Sequence, residues 1–576
     1  MSKSVPLSWL DYAVFASSIG LSLGTGIYHA IKSRILLRRG GRTAKEEYLM
    51  GGRDLPPLPV ALSLLTTFLS GILMLGVPAE MFQRGSQIWL NFVIGVVSSI
   101  ITCYVFLPVF YKMKSTCLHE YFIHRYNSVL IRRLFSGLFL LFTIVYMSIV
   151  VYAPSVALSP VINIDKWCLI LIFGCTTTIY TCIGGIKAVV WTDSLQAVLM
   201  YSGVFTLIFK GLNHPRVGGL SRVLDIAWDT GRISEVTQYS WRLDQYNSLW
   251  INVFSGTVVW LASFGVNQLA IQRYSSLPSL EKAQGIIKYT LLPFLILCSI
   301  VTFVGFIALA YFYNCNPLET GEIKDVDHIT ILFARDILQP TPGLFGLYVS
   351  CIMSATLSTL SSGMNSMAAA IYEDFLKTSL DGKITDIQAT RLNKAIVLTC
   401  GVVSTSLAFT AEYLGGILRI CISVMGAMSG PMVAIFVLAM FFPISGPKAC
   451  LISFAISNLF CLLICVANYI QDPYHDLFLP TNTTSWGCGH NNFTLRSQPN
   501  YNAHFGNPET LFISRISTYS YAGVGFVLML GIAWIVTFFE KPTKNIEKIQ
   551  HLTFAGRDIP WPDTHHEFDH FLVDKK

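Results

Sequence analysis

The feature that most constrains this chain is the repetition of long apolar segments. One runs from about Leu344 to Ala370 and another from Trp9 to Ile31, and each reaches the length of about 20 residues that a helix needs to cross a bilayer. Only 13% of the residues are charged, whereas a soluble domain carries about a quarter. Segment length and low charge predict an all-α polytopic membrane protein and exclude a soluble globular domain.

Run length predicts about thirteen membrane-spanning helices. They lie near residues 9–31, 57–78, 88–111, 134–154, 166–186, 190–211, 250–271, 289–312, 344–370, 395–412, 415–442, 448–470 and 519–539. The basic loop from Lys32 to Arg53 is predicted to be cytoplasmic, which puts the N-terminus outside and the tail from Glu540 inside. Much of the net charge of +7 lies in such short loops, so it does not indicate nucleic-acid binding.

Two external loops carry residues typical of the lumenal or extracellular side. The sequons at Asn482 and Asn492 fall in the long loop before the last span, and glycosylation requires that this loop face the lumen. Cys488 lies between them and Cys315 lies in another external loop. These two thiols either form a disulfide or remain free. The other twelve of the fourteen cysteines lie mostly in apolar segments, and no pair has the spacing of a zinc site.

The ninth span is rich in hydroxyl residues. Ala355, Ser358, Thr359 and Ser362 recur at helical spacing and therefore share one face. Hydroxyls are costly in a membrane unless they find partners. Their oxygens are suited to a hard cation such as Na⁺, but small residues also let two helices pack closely. Spacing alone leaves both interpretations open.

The second span is interrupted at its middle by Thr66, Thr67, Ser70 and Gly71. Secondary transporters break helices near the membrane midplane, and the freed carbonyls bind Na⁺. Each feature alone could be a packing device. A broken helix and a hydroxyl-faced helix in one chain together favour an ion site.

Two ionisable residues allow both a structural and a functional interpretation. Asp193 lies about three residues into the sixth apolar run. It is either interfacial or a functional acid inside the membrane. Arg419 lies in the eleventh span below the predicted outer surface. It either extends outward to the membrane surface or binds an anionic substrate from outside.

The seventh span carries two polar pairs near its inner end. Asn267 and Gln268 are deep enough to line a cavity, and Gln272 and Arg273 are expected to mark the cytoplasmic interface. The first pair is therefore predicted to belong to a substrate cavity.

Several motifs together resemble the sodium/solute symporter family over about residues 9–540. They are Tyr48-Leu-Met-Gly-Gly-Arg, Gly184-Gly185 followed by Trp191-Thr-Asp193, Asn267-Gln268 with Gln272-Arg273-Tyr, the hydroxyl-rich ninth span, and Leu414-Gly-Gly with Gly430-Pro431. The loop that begins Cys315-Asn-Pro-Leu and the run from Met364 to Asp374 resemble the branch of sodium-coupled monocarboxylate, multivitamin and iodide transporters.

The resemblance implies a core of two inverted five-helix repeats, a LeuT-like arrangement formed by spans two to six and seven to eleven. It divides the chain into an external N-terminus and first span (1–31), the core (32–442), two peripheral spans with the glycosylated loop (443–539) and a cytoplasmic tail (540–576). It also implies a sodium site. The ligands would be the carbonyls of Thr66, Leu69 and Ala355 and the hydroxyls of Ser358 and Thr359.

Some relatives have a second sodium site, at the positions of Asp193, Ser358, Ser361 and Ser362. Sugar-carrying relatives have polar residues where this chain has Phe68 and Leu73, which argues against a hexose whose hydroxyls would be left unpaired. The iodide-type relative has Gln where Leu73 stands. Arg419 replaces a usual Gln and favours a carboxylate.

The sequence therefore predicts a plasma-membrane symporter that imports a small organic anion, a monocarboxylate or a carboxylate vitamin, with Na⁺. Its partners would be sodium ions, the anion and membrane lipid; the sequence does not define the oligomeric state. The alternatives are transport of iodide or another solute, and a sodium channel or sensor on the same scaffold. An enzyme is disfavoured because Asp193 has no evident partner base and the spans carry no catalytic spacing.

Overall fold

The fold of this chain is all-helical in the part that the structure describes. The structure is a computed structural model that describes residues 7–38, 43–233, 238–323, 325–380, 382–411, 417–474, 477–484, 488, 505–540, 549–557 and 559. Apart from an isolated bridge between Gln245 and Phe505, these residues form helices, turns and loops. The predicted fold class, an all-α polytopic membrane protein, is confirmed at this level.

The helices are numbered here in chain order. They are α1 (Trp9–Arg38), α2 (Ala44–Met50), α3 (Pro57–Phe68), α4 (Gly71–Arg84), α5 (Gln87–Ile101), α6 (Leu107–Lys112), α7 (Tyr121–Tyr126), α8 (Val129–Ile162), α9 (Lys166–Leu212), α10 (Gly219–Asp229), α11 (Leu249–Ile251), α12 (Thr257–Phe264), α13 (Gln268–Tyr274), α14 (Leu280–Phe312), α15 (Ile329–Leu338), α16 (Leu344–Ala370), α17 (Lys377–Leu380), α18 (Asp386–Ala408), α19 (Ile417–Phe441), α20 (Pro447–Gln471) and α21 (Tyr521–Phe539). Within the described residues, nine helical segments are long and apolar enough to cross a membrane, or up to eleven if each of two bent helix pairs counts as one span.

The first bent pair is the predicted interruption of the second span. Helix α3 ends at Phe68 and α4 begins at Gly71, with an angle of 56° between them. Between them, Ser70 is extended (φ −79°, ψ 165°), so the helical hydrogen bonds cannot continue across the break. The last carbonyls of a helix have no partner within it, and the break places these groups in the protein interior.

A second bent pair was not predicted from the sequence. Helices α11 and α12 cover Leu249–Phe264 with a π-helical turn between them, and α13 follows at an angle of 53°. Asn267 accepts a hydrogen bond from the backbone N–H of Leu269 through its side chain (2.9 Å) and so begins α13. Asn is a favoured residue at this position, and its side chain satisfies a donor that the helix leaves free.

Helix α9 is also interrupted, at Gly185. This residue has φ 61° and ψ −158°, and a β-carbon there would lie 2.5 Å from the carbonyl oxygen of Tyr48. Glycine is the residue that tolerates this conformation and this close approach. The Tyr48-to-Arg53 motif therefore packs directly against the break in α9.

Helix α16, which carries the hydroxyl residues, lies at the centre of the molecule. All of its residues except Leu344 and Leu347 are buried inside the protein. It packs against α1, α3, α4, α8, α9 and α18. Asp11 of α1 accepts hydrogen bonds from the backbone N–H groups of Gly343 (3.0 Å) and Gly346 (2.8 Å) at the start of α16. A carboxylate there satisfies free donors of the helix terminus.

The loops predicted to be external pack on one another. The sulfur atoms of Cys315 and Cys488 form a disulfide, with 5.0 Å between their α-carbons. Asn482 is exposed, and its backbone N–H donates to the carbonyl of Tyr313 (3.0 Å). Asn492 lies outside the described residues.

Candidate functional site

Four of the five oxygen atoms predicted to bind sodium, all except the carbonyl of Leu69, meet beside the last turn of α3. The Ser358 hydroxyl donates to the carbonyls of Thr66 (3.0 Å) and Ala355 (3.1 Å). The Thr359 hydroxyl donates to the carbonyls of Thr67 (3.3 Å) and Ala355 (3.1 Å). All five residues are buried. We refer to these three carbonyls and two hydroxyls as the oxygen cluster.

Leu69 lies at the break itself, with a non-helical backbone (φ −104°, ψ 82°) and a buried side chain. The carbonyls that contact the hydroxyls of α16 are instead those of Thr66 and Thr67. Sequence reasoning missed the carbonyl of Thr67. The position of Thr67 in the last turn of α3 could have indicated this ligand, because carbonyls there lack helical partners.

The oxygen cluster is suited to a hard monovalent cation. Its five oxygen atoms belong to neutral carbonyl and hydroxyl groups. Discontinuous helices in secondary transporters offer such oxygen ligands to Na⁺. Each hydroxyl already spans from α16 to a carbonyl of α3. A cation held here would therefore contact both helices at once.

Asp193 is fully buried inside the protein. Its Oδ2 accepts from the hydroxyl of Ser63 (2.5 Å) and lies 3.3 Å from a guanidinium nitrogen of Arg273. Its Oδ1 is 3.5 Å from the hydroxyl of Ser361. Of the two interpretations of Asp193, the structure places it inside the protein, next to the cation of Arg273.

Arg273, which was predicted to mark the cytoplasmic interface, has its side chain buried among polar groups of the protein. The side chain is 2% exposed and also donates to the hydroxyl oxygens of Ser63 (Nε, 2.9 Å) and Ser362. A buried guanidinium requires a partner, and Asp193 supplies it from 80 residues away in the chain. The guanidinium thus contacts two of the residues predicted to hold a second sodium, Asp193 and Ser362.

The two groups of oxygens are neighbours. The hydroxyl oxygens of Thr67 and Ser362 are 3.0 Å apart, and Ser362 is also the acceptor for Arg273. Thr67 contributes its carbonyl to the oxygen cluster. The Arg273–Asp193 pair is therefore linked to the oxygen cluster through two hydrogen bonds, one from Arg273 to Ser362 and one between Ser362 and Thr67.

The polar residues at the start of α13 contact backbone. The Gln268 amide accepts from the N–H of Leu118 (2.7 Å) and donates to the carbonyl of Thr116 (2.8 Å). Gln272 donates to the carbonyl of Leu49 (2.7 Å) and accepts from the hydroxyl of Ser366 (2.9 Å). These amides join α13 to neighbouring loops and to α16.

Of the predicted cavity residues next to the break, Phe68 belongs to a wall of aromatic rings. Phe68 and Leu73 are each half-buried, one on each side of the break. The ring of Phe68 meets that of Phe264, 5.0 Å between centroids, and Phe264 stacks on Trp260 at 5.5 Å. The wall is thus formed by both bent helix pairs. Arg419 lies in the first turn of α19, but its side chain lies outside the described part of the chain.

Comparison with known proteins gives the class that this arrangement defines. The fold is similar to that of a Na⁺-coupled sialic acid symporter solved in a substrate-bound outward-open state. The TM-score is 0.76 at 20% identity, over 93% of this chain and 99% of that one. The two chains therefore share the same overall fold.

Sequence comparison then gives the family. Residues 48–451 match the model of the sodium:solute symporter family. Sodium-coupled monocarboxylate transporter 2 of Mus musculus is 31% identical over 92% of this chain and 83% of its own length. The sodium-dependent multivitamin transporter of Oryctolagus cuniculus is 33% identical over 89% and 76%, respectively. The sodium/iodide cotransporter of Homo sapiens is 34% identical over 75% and 66%.

The chain belongs to the sodium:solute symporter family. This confirms the resemblance found in the sequence, including the branch of monocarboxylate, multivitamin and iodide transporters. The relatives are transporters, which confirms that the chain is not an enzyme.

Proposed function

We propose that this protein is a Na⁺-coupled symporter that imports a small organic anion, a monocarboxylate or a carboxylate vitamin, by alternating access. The observation that carries the proposal is the oxygen cluster, in which Ser358 and Thr359 of α16 meet the free carbonyls of α3. Relatives named as monocarboxylate and multivitamin transporters support this class of substrate.

Coupling would follow from the position of the ion. A sodium ion in the oxygen cluster ties the end of α3 to α16, and the break beside it is bordered by Phe68 and Leu73. Sodium binding therefore stabilises the conformation in which the substrate cavity is formed. One Na⁺ with one monovalent anion carries no net charge, so the membrane potential contributes to import only when a second sodium ion is transported. Each net positive charge that crosses the full field then gains about 2.3 kcal/mol per 100 mV.

The second sodium is a separate proposal. A sodium ion that bound Asp193, Ser361 and Ser362 would have to displace the guanidinium of Arg273, which already contacts Asp193 and Ser362. We therefore propose that the oxygen cluster binds sodium in every cycle. The Asp193 site would take a second ion only when Arg273 moves.

We propose thirteen spans, ten of which form the two inverted repeats of a LeuT-like core. Eleven result when each bent pair counts once. Helix α9 has 47 residues, or about 70 Å at 1.5 Å per residue, which is enough for two spans that meet at Gly185. The more polar α18 adds the last one. The two bent pairs, at 56° and 53°, would be the first spans of the two inverted repeats.

The remaining assignments follow from this topology. The N-terminus is placed outside the cell, and the tail after Glu540 in the cytoplasm of a plasma-membrane protein. The core spans 32–442, and the segment 443–539 adds two peripheral spans with the glycosylated loop. Large apolar side chains that are exposed on the spans, such as Phe209 (69%) and Leu292 (66%), would contact lipid.

Uptake measurements in expressing cells test the substrate class. Lactate, pyruvate, nicotinate, biotin, pantothenate, iodide and glucose are compared with and without external sodium. Sodium-dependent accumulation of carboxylates supports the proposal. Accumulation of iodide alone would favour the alternative suggested by the iodide cotransporter, and a sodium current without accumulation would favour a channel.

Arg419 is the proposed anion anchor, which gives a sharper test. Replacement Arg419→Gln should weaken the apparent affinity for the carboxylate by about tenfold, since a hydrogen bond to a charged group contributes about 1.5–3 kcal/mol. The sodium dependence should change little. Equal affinity of the variant and the wild type for every transported anion would reject this role.

A further inference from the structure

A second polar cluster lies at the far end of α16, away from the oxygen cluster. Cys117 and His119 belong to the loop between α6 and α7, and Asp374 belongs to the π-helical turn that follows α16. Their exposed fractions are 0%, 1% and 2%. The three side chains are thus brought together from two distant parts of the chain and shielded from solvent.

One atom from each side chain faces a common point. The sulfur of Cys117 is 2.9 Å from Oδ2 of Asp374 and 3.4 Å from Nδ1 of His119. That nitrogen lies 3.3 Å from the same carboxylate oxygen. The three atoms form a small triangle of one sulfur, one nitrogen and one oxygen.

These separations approach those of a tetrahedral zinc site. Zinc bonds of 2.0–2.3 Å to these atom types place neighbouring ligand atoms about 3.4–3.6 Å apart. The two edges that involve His119 are already within a few tenths of an ångström of this range. Only the edge between Cys117 and Asp374, now a hydrogen bond, has to lengthen.

Arg132 holds the carboxylate in this orientation. Its Nε donates to Oδ1 of Asp374 (2.6 Å), and its terminal nitrogen donates to the carbonyl of Glu373 (2.7 Å). Oδ2 is left for Cys117 and His119. Hydrogen bonds of this kind to the second carboxylate oxygen orient metal ligands in proteins. The positive charge of Arg132 already balances the Asp374 carboxylate, so the thiolate of Cys117 offsets one of the two charges of Zn²⁺ and the loaded site carries a net charge of +1.

We propose that Cys117, His119 and Asp374 form a binding site for a divalent transition metal, with Zn²⁺ as the ion that this ligand set favours. Binding releases the thiol proton of Cys117 to solvent, and water completes the fourth position. The site does not involve the oxygen cluster and does not depend on the proposed transport function.

The site would also restrain the conformation of the protein. The loop that carries Cys117 is held by Gln268 of α13 through its backbone at Thr116 and Leu118. A metal would add a bond from this loop to the end of α16. It would therefore tie α13, through this loop, to the end of α16. We expect this bond to slow transport, because alternating access requires helices to move relative to one another. This last consequence rests on the proposed function.

Metal binding is tested on the full-length purified protein. After equilibrium dialysis against Zn²⁺, we expect about one zinc per chain, and Cys117→Ser and His119→Gln should each lower the affinity by about tenfold or more. With Co²⁺ as probe, a sulfur-to-cobalt charge-transfer band should appear in the wild type and be absent in Cys117→Ser.

Cys298→Ser is the matched control, because Cys298 is equally buried but lies in α14, and it should bind zinc like the wild type. Thermal unfolding verifies that each variant is folded. If Cys117→Ser does not fold, the cobalt spectrum of the wild type decides, and a spectrum without a sulfur band overturns the proposal. Zinc binding that both ligand variants retain in full also overturns it.

Transport is a separate arm of the experiment. Zn²⁺ is placed on the side of a proteoliposome that faces the loop of Cys117, and sodium-dependent uptake is measured. Inhibition in the wild type that Cys117→Ser relieves supports the restraint. Zinc binding without inhibition rejects the restraint and leaves the metal site in place, and absence of uptake in all samples, zinc-free wild type included, would count against the proposed function instead.

Discussion

At the scale of the residue, the hydroxyls of α16 fall into two groups. Ser358 and Thr359 reach carbonyls on α3. Ser350 and Thr356 bond to carbonyls of their own helix, Gly346 (2.8 Å) and Ile352 (3.0 Å). A hydroxyl that bonds to the preceding turn satisfies itself locally. The contact across helices, rather than the residue type, therefore separates candidate ligands from packing residues.

Replacement Ser358→Ala should raise the sodium concentration for half-maximal uptake by about tenfold, because a polar contact to a charged group contributes about 1.5–3 kcal/mol. Thr359→Ala should act in the same direction. Ser350→Ala, on the same helix but bonded to its own backbone, is the control and should retain the sodium dependence of the wild type. Uptake at varied external sodium measures the effect. Unaltered sodium dependence in both ligand variants would remove the oxygen cluster as the sodium site.

The Arg273–Asp193 pair leads to a second prediction. Arg273→Gln leaves Asp193 as an unpaired buried carboxylate, which costs about 3–5 kcal/mol and should lower the temperature of thermal unfolding. The double variant Arg273→Gln with Asp193→Asn removes both charges and should recover part of this loss. A double variant no more stable than Arg273→Gln would show that the two charges do not stabilise each other.

At the scale of the element, two bent helix pairs border the aromatic wall at the break, and both are bent by about the same angle. The half-helix α4 approaches α16 closely at Gly71. A β-carbon there would lie 2.5 Å from the hydroxyl oxygen of Thr356 and 2.8 Å from the ring of Pro154. Glycine permits this approach of backbones, as small residues commonly do between membrane helices.

Gly71→Ala should therefore move α4 away from α16 and alter the break. We expect a large loss of sodium-dependent uptake while the protein still reaches the membrane. Gly20→Ala in α1 is the matched control, because a β-carbon there meets nothing within 4 Å. Surface expression and uptake are measured together. Full uptake by Gly71→Ala would show that the close approach is not needed for transport.

At the scale of the whole molecule, the loops between the helices form a connected layer at one end. The fully buried Arg232 donates to the carbonyls of Phe82 (2.7 Å), Leu479 (3.2 Å) and Pro480 (3.0 Å), which joins three separate loops or helix ends. The disulfide between Cys315 and Cys488 lies in the same layer. An oxidised cysteine pair is typical of the extracellular side.

The orientation of this layer can be tested through Asn482. Its side chain is exposed and Thr484 of its sequon is exposed as well, so a glycan can be attached if the layer is extracellular. Enzymatic deglycosylation should increase the gel mobility of the protein, and Asn482→Gln should remove part of that shift. Asn507→Gln, which is followed by Pro508 and is not in a sequon, should leave it intact. If the Asn482→Gln and Asn507→Gln proteins show the same shift, no glycan is attached at this residue.

The sequence by itself determined the helices, the hydroxyl face of α16, the first helix break and the family. These properties are local: apolar run length, a 3.6-residue period, and polar or glycine residues that interrupt a span. They can be recognised without knowing which helices are neighbours. The second break, before Asn267, was missed because its residues read as cavity lining rather than as a helix start.

Which residues contact each other across the chain was decided only by the tertiary structure. Ser358 and the carbonyl of Thr66 are 292 residues apart in the chain, and Arg132 reaches Asp374 across 242. The contact of Arg273 with Asp193 was not predicted, because sequence position does not show which carboxylate a buried cation will meet. Pairing across such distances follows from how helices pack, since a buried charge or hydroxyl is stable only beside a complementary group.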